Sequence, residues 1–159
     1  MSTHRTLRCR AVAEGSLRQM VYVRDLPPLA LEEPASMAAP NPAPEPLEAL
    51  LSAFGACLGV GIRAGAISRG IVLSKLELEI EADVAAAPMD RTGPEPGAFG
   101  FDAVRAVVHL EADAPREALA ALVSRATLWS PVANTLHNGA HLDVALAPFG
   151  RAVDAAPVL

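Results

Sequence analysis

Residues 46–70 read PLEALLSAFGACLGVGIRAGAISRG and contain the most apolar stretch of the chain. The apolar side chains recur at spacings of three and four residues, which is the period of one face of a helix. Pro46 suits the first turn, Glu48 complements the positive helix start, and Gly70 suits a C-terminal stop. The pattern predicts a helix over residues 47–69.

Four glycines interrupt this helix, although each weakens a helix by up to ~1 kcal/mol relative to alanine. They are Gly55, Gly59, Gly61 and Gly65. Because glycine lets another backbone approach closely, we expect a tightly packed helix that is nearly fully buried. Its partner is either a second long helix or the same helix of a symmetric copy.

On both sides of this helix the apolar pattern changes to the two-residue alternation of β-strands. Residues 7–14 and 17–24 predict a hairpin with turn residues between its arms. Residues 25–46 are rich in proline and predict a surface loop that contains a short edge strand at residues 29–31. Residues 71–84 predict a long strand with one apolar and one charged face. Its apolar face consists of Leu76, Leu78, Ile80 and Ala82.

The second half of the chain continues this alternation of elements. Residues 85–100 predict a loop or hairpin connection, and residues 101–112 predict a second alternating strand. Asp113 is a candidate cap, and Pro115 a first-turn residue, of a helix that ends near Leu128. A short turn or helix from Pro131 around Asn134, a last strand over residues 140–147 and a frayed tail after Pro148 complete the chain. This order predicts an α+β fold, with helices packed on antiparallel sheet in one domain over residues 1–159.

Composition argues against several classes of protein. The formal net charge is −5 and there is no basic run, so nucleic-acid binding has no electrostatic footprint. Cys9 and Cys57 are far apart and form neither a disulfide framework nor a metal-ligand cluster. The apolar residues 50–62 fall short of the ~20 needed to span a bilayer and are followed by Arg63. We expect a soluble, cytoplasmic protein without a metal or other cofactor.

Cys57 is the candidate nucleophile of the chain. The thiolate rather than the thiol attacks substrates, so an apolar cysteine reacts only when a cation or hydrogen-bond donor reaches it. An arginine suits that role, and Glu48, nine residues before Cys57, is placed to hold one. The residues alone leave two simpler alternatives open. Cys57 fits a core as a small apolar residue, and Glu48 fits a helix start as a first-turn carboxylate.

Two groups of residues resemble the OsmC/Ohr family of thiol peroxidases. The first group comprises Arg24, Glu32-Glu33-Pro34, Ala38-Ala39, Pro44-Glu45-Pro46-Leu47-Glu48 and Gly55-Ala56-Cys57, followed by the acidic alternating strand from Gly70-Ile71. The second group is Ser130-Pro131-Val132-Ala133-Asn134-Thr135-Leu136, which is similar to the family's Cys-Pro-Val-x-Asn-Thr-Leu. The resemblance covers residues 20–147 and rests on the order and spacing of these motifs.

The resemblance implies an OsmC-like fold and an intertwined homodimer whose pocket lies at the interface. In the family a first cysteine attacks an organic hydroperoxide or hydrogen peroxide and becomes a sulfenic acid. A second cysteine then attacks it, and an external dithiol reduces the resulting disulfide. Cys57 corresponds to the first cysteine and Glu48 to the helix glutamate. Arg18 and Arg24 are the two candidates for the activating arginine.

Ser130 stands where the family has its second cysteine, and a hydroxyl cannot form a disulfide. It could instead hydrogen-bond an oxygen of the substrate. Three alternatives follow: an external thiol resolves Cys57, Cys9 resolves it, or the protein has lost peroxidase activity. We expect thiol-dependent peroxide reduction with an external reductant. The alternative is a non-catalytic protein that binds a small apolar ligand in the same pocket.

Overall fold

The structure is a computed structural model that describes residues 4–15, 17–33, 41–85 and 99–146. Within these residues the chain forms five strands, in two antiparallel sheets, and three helices. The α+β class predicted from the sequence is confirmed. The contacts divide the chain into two compact units, residues 1–49 with 142–159 and residues 50–141. That all of residues 1–159 act as one domain stays a prediction.

The first unit contains a three-stranded antiparallel sheet. β1 (Arg10–Ala13) pairs with β2 (Arg18–Tyr22), and β2 pairs with β3 (Leu29–Glu32). Between β1 and β2 the chain turns at Gly15, whose φ of 88° lies in the left-handed region that glycine adopts at no steric cost. Both the predicted N-terminal hairpin and the short edge strand are confirmed.

The first long helix, α1 (Pro46–Ile67), begins in the first unit and continues through the second. Pro46 occupies its first position, as predicted. The carboxylate of Glu48 accepts a hydrogen bond of 2.8 Å from the backbone N–H of Glu45, which satisfies one donor beside the helix start. The helix ends two residues earlier than predicted, and Gly70, with φ 67°, closes the turn that follows.

The second unit contains a long β-hairpin formed by β4 (Leu73–Ala85) and β5 (Gly100–Ala112). Its apolar face aligns side chains across the strands in the register Leu76↔Leu110, Leu78↔Val108, Ile80↔Ala106 and Ala82↔Val104. On the exposed face, Arg105 donates hydrogen bonds to Glu81 and Asp83, and the bonds to Asp83, with the nearby positive charge, hold the pKa of Asp83 below its ordinary value. Both strands were predicted from their alternation. Most of the predicted loop, residues 86–98, lies outside the described residues.

Two further helices follow the hairpin, α2 (Arg116–Trp129) and α3 (Pro131–Asn138). The prediction that Asp113 caps α2 is wrong. Pro115 occupies the cap position, and no side chain caps the helix, because Asp113 lies two residues too early to reach the first free N–H groups. The short helix predicted from Pro131 is confirmed. Ser130 caps it, since its hydroxyl oxygen accepts a hydrogen bond of 3.1 Å from the N–H of Ala133.

Within the second unit, α1 packs between the apolar face of the hairpin and α2. A Cβ atom added to Gly55 would lie 3.1 Å from Cγ1 of Ile80 in β4. One added to Gly61 would lie 3.3 Å from Cβ and 3.6 Å from Cα of Ala126 in α2. The expectation that glycine admits another backbone is therefore confirmed at Gly61. The core of this unit consists of Leu58, Ile62, Ala66, Leu122 and Ala126.

Within one chain α1 is only partly buried, so its near-complete burial, which allowed for a symmetric copy as the partner, stays a prediction. Its buried residues are Leu58, Ile62 and Ala66 alone, while Val60 is 71% and Ile67 72% exposed. The described residues cover the helix on the faces toward the hairpin and α2 only. The small residues of a helix show where another element can pack closely. How many faces of the helix are covered depends on the other elements of the fold.

The predicted last strand, residues 140–147, is also wrong as far as the structure describes it. Residues 140–146 form no strand. Their apolar side chains are almost fully exposed, with Leu142 at 81%, Val144 at 93% and Leu146 at 87%. Alternation suits a strand, but a strand also needs a neighbour for its backbone groups. Residue 147 and the tail predicted to fray lie outside the described residues.

α1 is 22 residues long, and is therefore longer than the apolar stretch of residues 50–62 from which the sequence argues against a membrane span. By length and composition α1 is the one helix of the described residues that could cross a bilayer, with a mean hydropathy of 1.7. This is weak evidence, because core helices of soluble proteins meet the same criterion. At Gly55 and Gly61, α1 packs against other parts of the protein, so its apolar side chains contribute to the core of the fold.

Candidate functional site

Cys57 and Ser130 meet where α1 passes the end of α2. The two helices run antiparallel, because Gly61 lies against Ala126 and Gly65 against Leu122. Continued by one turn, this pairing places Cys57 beside Ser130. The hydroxyl of Ser130 donates a hydrogen bond of 3.1 Å to Sγ of Cys57. The small residues of α1 therefore position the sulfur, because they allow the helices to approach closely at this site.

Ser130 is buried, with 3% of its surface exposed, and both functions of its hydroxyl are used. Its oxygen accepts from the N–H of Ala133, and its proton is directed at Sγ of Cys57. A hydrogen bond donated to sulfur stabilises a thiolate more than a thiol. Ser130 is thus a donor to the sulfur itself. The sequence suggested a donor to a substrate oxygen.

A cavity of about 530 Å³ opens beside Cys57. One wall is the stripe of α1 from Cys57 through Gly61 and Ala64, continued by Ser68 just after the helix, and the other wall is α2 with the start of α3. Most of the lining is apolar, and its larger apolar residues are Val60, Leu122, Trp129 and Pro131. None of the residues that line it is acidic. Cys57 therefore lines a cavity with a mostly apolar wall and no carboxylate.

The other predicted site residues lie in the first unit. Glu48 is in the first turn of α1 and accepts the hydrogen bond from Glu45 described above. Arg18, in β2, donates through Nε to the carboxylate of Glu32 at 2.9 Å. Arg24 follows β2 with a φ of 52°, a left-handed backbone that is uncommon outside glycine. The roles of Glu48, Arg18 and Arg24 at the sulfur stay predictions.

Cys9, the alternative resolving thiol, is exposed and lies immediately before β1. In the described part of the chain no group of three or more His, Cys, Asp or Glu side chains is placed to hold a metal ion. Cys57 and Cys9 are both free thiols.

Sequence reasoning missed the two arginines of the cavity wall, Arg69 and Arg125. The side chain of Trp129, which is 71% exposed, also lies on the cavity wall. The guanidinium of Arg125 lies over its ring at 5.2 Å from the centroid. The sequence feature that could have indicated this contact is the four-residue spacing of Arg125 and Trp129, which places both on one face of a helix.

Comparison with known proteins gives a family and a set of similar folds. A family model for OsmC-like proteins matches residues 39–145. No curated protein matches the chain. A solved OsmC-like protein from Mycoplasma pneumoniae is 18% identical, with a TM-score of 0.71 over 86% of this chain and 91% of that chain.

Two other solved structures carry names that refer to hydroperoxides. The organic hydroperoxide resistance protein OsmC of Legionella pneumophila is 22% identical, with a TM-score of 0.60 over 85% of this chain and 91% of that one. An OsmC-like hydroperoxide resistance protein of Jannaschia sp. is 24% identical, with a TM-score of 0.55 over 90% of this chain and 93% of that one. At these identities the likeness shows a shared fold.

Proposed function

The chain belongs to the OsmC-like family, and from this premise we propose that it reduces hydroperoxides through the Cys57 thiol, with an external thiol as the reductant. The observation that supports the proposal is the hydrogen bond from buried Ser130 to Sγ of Cys57, at the wall of an open cavity. Structural neighbours whose names include hydroperoxide resistance agree with a role in peroxide chemistry.

In the first step the thiolate of Cys57 attacks the outer oxygen of the hydroperoxide. A bond forms between Sγ and that oxygen while the O–O bond breaks, and the alkoxide takes a proton and leaves as an alcohol. Cys57 is oxidised to a sulfenic acid and the peroxide is reduced. Ser130 donates to the sulfur in the structure, and in the proposed reaction it donates to the sulfenic oxygen after this step.

In the second step the sulfenic acid is resolved by a thiol from outside the chain. This thiol attacks Sγ, water leaves, and a mixed disulfide remains on Cys57. A second thiolate attacks the mixed disulfide, releases Cys57 and forms the oxidised disulfide of the reductant. One hydroperoxide and two thiols thus become an alcohol, a water molecule and a disulfide. A dithiol supplies both sulfurs and makes the last attack intramolecular.

We assign the positioning of the sulfur to Glu48 together with Arg18 or Arg24, as the family resemblance implies. An arginine beside Cys57 would favour the thiolate, and Glu48 would hold that arginine. We also propose a homodimer, in which such an arginine comes from either chain. The exposed apolar face of α1 favours association, because large exposed apolar areas in soluble proteins mark interaction sites.

The rival function is non-catalytic binding of a small apolar ligand. Two observations favour it: Ser130 replaces the resolving thiol, and the cavity lining is mostly apolar. The rival predicts a saturable ligand site and no consumption of peroxide. Turnover therefore separates the two functions.

The test measures consumption of an organic hydroperoxide with excess dithiol, for the native chain and for the Cys57→Ser and Cys9→Ser variants. We expect activity in the native chain, none above background in Cys57→Ser, and full activity in Cys9→Ser. Intact mass after one equivalent of peroxide should show one added oxygen in the native chain and in Cys9→Ser. Equal consumption by the native chain and Cys57→Ser would exclude the peroxidase function.

A further inference from the structure

Ser130 lies between α2 and α3, and the direction of its hydroxyl is set by α3. The hydroxyl oxygen accepts from the N–H of Ala133, in the first turn of α3, and the proton points at Sγ of Cys57. The sulfur itself is placed relative to α2, because α1 packs against that helix at Gly61. Whether the proton of Ser130 reaches the sulfur therefore depends on the angle between α2 and α3.

The sequence fixes the position of the break between these two helices and leaves their angle open. Pro131 disfavours the helical conformation at the residue before it, and Ser130 accordingly has an extended backbone, with φ −72° and ψ 116°. The N–H of Ser130 donates to the oxygen of Thr127 at 3.3 Å, which closes the end of α2. A single extended residue does not by itself fix the angle between two helices, so contacts across the junction have to do so.

Asn134 makes a contact of this kind. Its side-chain Nδ2 donates to the backbone oxygen of Leu128 at 3.2 Å, so a residue of α3 is bonded to the last turn of α2. The oxygen of Leu128 is one of the last four carbonyl groups of α2, which have no partner inside their own helix. The backbone N–H of Asn134 also donates to the oxygen of Ser130, at 3.0 Å. Asn134 thus joins the two helices at Ser130, although it is exposed and lies outside the lining of the cavity beside Cys57.

We infer that Asn134 is a positioning residue of the candidate site, because its bond to Leu128 fixes α3 at the angle at which Ser130 donates to the sulfur. The bonds run from α2 through Asn134 to α3, and from the N–H of Ala133 through Ser130 to the sulfur. A hydrogen bond weakens steeply as its geometry departs from the preferred one, so a small rotation of α3 is enough to remove this donor. The inference rests on the proposed function only for its effect on peroxide reduction, since the reactivity of the thiol is measurable without a peroxide.

The test measures the rate at which iodoacetamide alkylates Cys57 as a function of pH, because the thiolate is the form that reacts. All chains carry Cys9→Ser, so that one thiol is left to alkylate. Asn134→Leu removes the donor but keeps a side chain of similar size, and leucine favours a helix more than asparagine does. We expect the midpoint pH of alkylation to rise by about one unit, the scale of one hydrogen bond to a charged group, with helix content by circular dichroism unchanged.

Thr135→Val is the matched control, because the hydroxyl of Thr135 donates to the oxygen of Pro131 inside α3. It should have the midpoint of the parent chain. In a chain that already carries Ser130→Ala, Asn134→Leu should cause no further rise, because the donor through which Asn134 acts is gone. Ser130→Gly replaces Ser130→Ala if that chain does not fold, since glycine retains most of the helix cap. Asn134→Ala likewise replaces Asn134→Leu.

An unchanged midpoint in folded Asn134→Leu overturns the inference. An equal rise with and without the hydroxyl of Ser130 also overturns it, because Asn134 then acts by another route. A rise that depends on Ser130, with no consumption of peroxide by the native chain, removes the peroxidase function and keeps the inference. Consumption of peroxide by the native chain, with an unchanged midpoint in Asn134→Leu, removes the inference and keeps the function.

Discussion

At the scale of single residues, Ser130 connects the helix geometry to the chemistry of the sulfur. As the cap of α3 it accepts from the N–H of Ala133, and as a donor it contacts Sγ of Cys57. The same position thus serves the fold and the site. A serine here gives the sulfur a hydrogen-bond donor and, unlike a cysteine, cannot form a disulfide with it.

We predict that Ser130→Cys forms a disulfide with Cys57. The present Oγ and Sγ atoms are 3.1 Å apart, so a second sulfur needs only a small adjustment to reach bonding distance. After one equivalent of peroxide, thiol titration should find Cys57 and the new cysteine oxidised. The native chain under excess peroxide should instead progress to the sulfinic acid, seen by intact mass. Loss of the α3 cap should lower the free energy of unfolding of the reduced variant by about 1 kcal/mol.

The control for this prediction is Ser124→Cys, an exposed position of α2 outside the lining of the cavity. It should gain a free thiol and no disulfide with Cys57. A Ser130→Cys variant that keeps both thiols after peroxide treatment would show that the two positions are not held together in solution.

At the scale of elements, the four glycines of α1 serve two different contacts. Gly55 and Gly59 face side chains of β4, namely Ile80 and Leu78. Gly61 and Gly65 face α2, and of the four only Gly61 is placed so that an added Cβ would lie within 4 Å of backbone atoms of that helix. The cost of a new side chain therefore depends on which neighbour has to move.

We predict that alanine stabilises the fold at Gly59 and does not at Gly61. A Cβ at Gly59 would make an ordinary contact of 3.5 Å with Cδ1 of Leu78, so Gly59→Ala should raise the free energy of unfolding by ~0.5–1 kcal/mol through helix propensity. At Gly61 the Cβ would lie 3.3 Å from Ala126 Cβ, close to the α2 backbone, and the gain should be cancelled or reversed. Urea unfolding of the two variants, a matched pair on one helix, measures the difference.

Leucine at Gly61 should be more damaging, with a loss of ~1–3 kcal/mol or more from overpacking between α1 and α2. It should also separate Ser130 from Cys57 and so reduce peroxide turnover. Native-like unfolding of Gly61→Leu would contradict the packing of α1 against α2 at this position.

At the scale of the whole molecule, several apolar surfaces lack a covering partner within the described residues. They include Val60 and Ile67 on α1 and the alternating side chains of Leu142, Val144 and Leu146. These last three are 81–93% exposed on a segment whose pattern suits a strand. A second copy of the chain is the partner that we propose for these surfaces.

We predict that the native chain is a dimer and that replacing Leu142, Val144 and Leu146 together with serine shifts it toward the monomer. Burying three such side chains contributes roughly 1.5–3 kcal/mol each, so their loss should weaken association by several orders of magnitude. Light scattering after size-exclusion chromatography measures the mass. Val107→Ser, at an apolar position of β5 that is 54% exposed, is the control and should remain dimeric. A native chain that runs as a monomer at micromolar concentration would contradict the proposal.

The sequence by itself determined the type and order of most elements and the position of the sulfur. The alternation in residues 71–84 and 101–112 gave both strands of the long hairpin and their apolar faces, because alternation is a local property of the backbone. The family motifs singled out Cys57 and Ser130, which the structure places 3.1 Å apart. Local periodicity and the order of short motifs can be identified in a single sequence, so these features were predictable.

The tertiary structure alone decided which surfaces meet. It shows the hydroxyl of Ser130 directed at sulfur, two arginines at the cavity wall, and α1 covered on only some of its faces. It also leaves residues 140–146 without a strand partner in the described chain, although their alternation is as regular as that of β4. Periodicity sets the side to which each residue points along its own element. What lies on that side depends on contacts between residues far apart in sequence, and no local pattern records them.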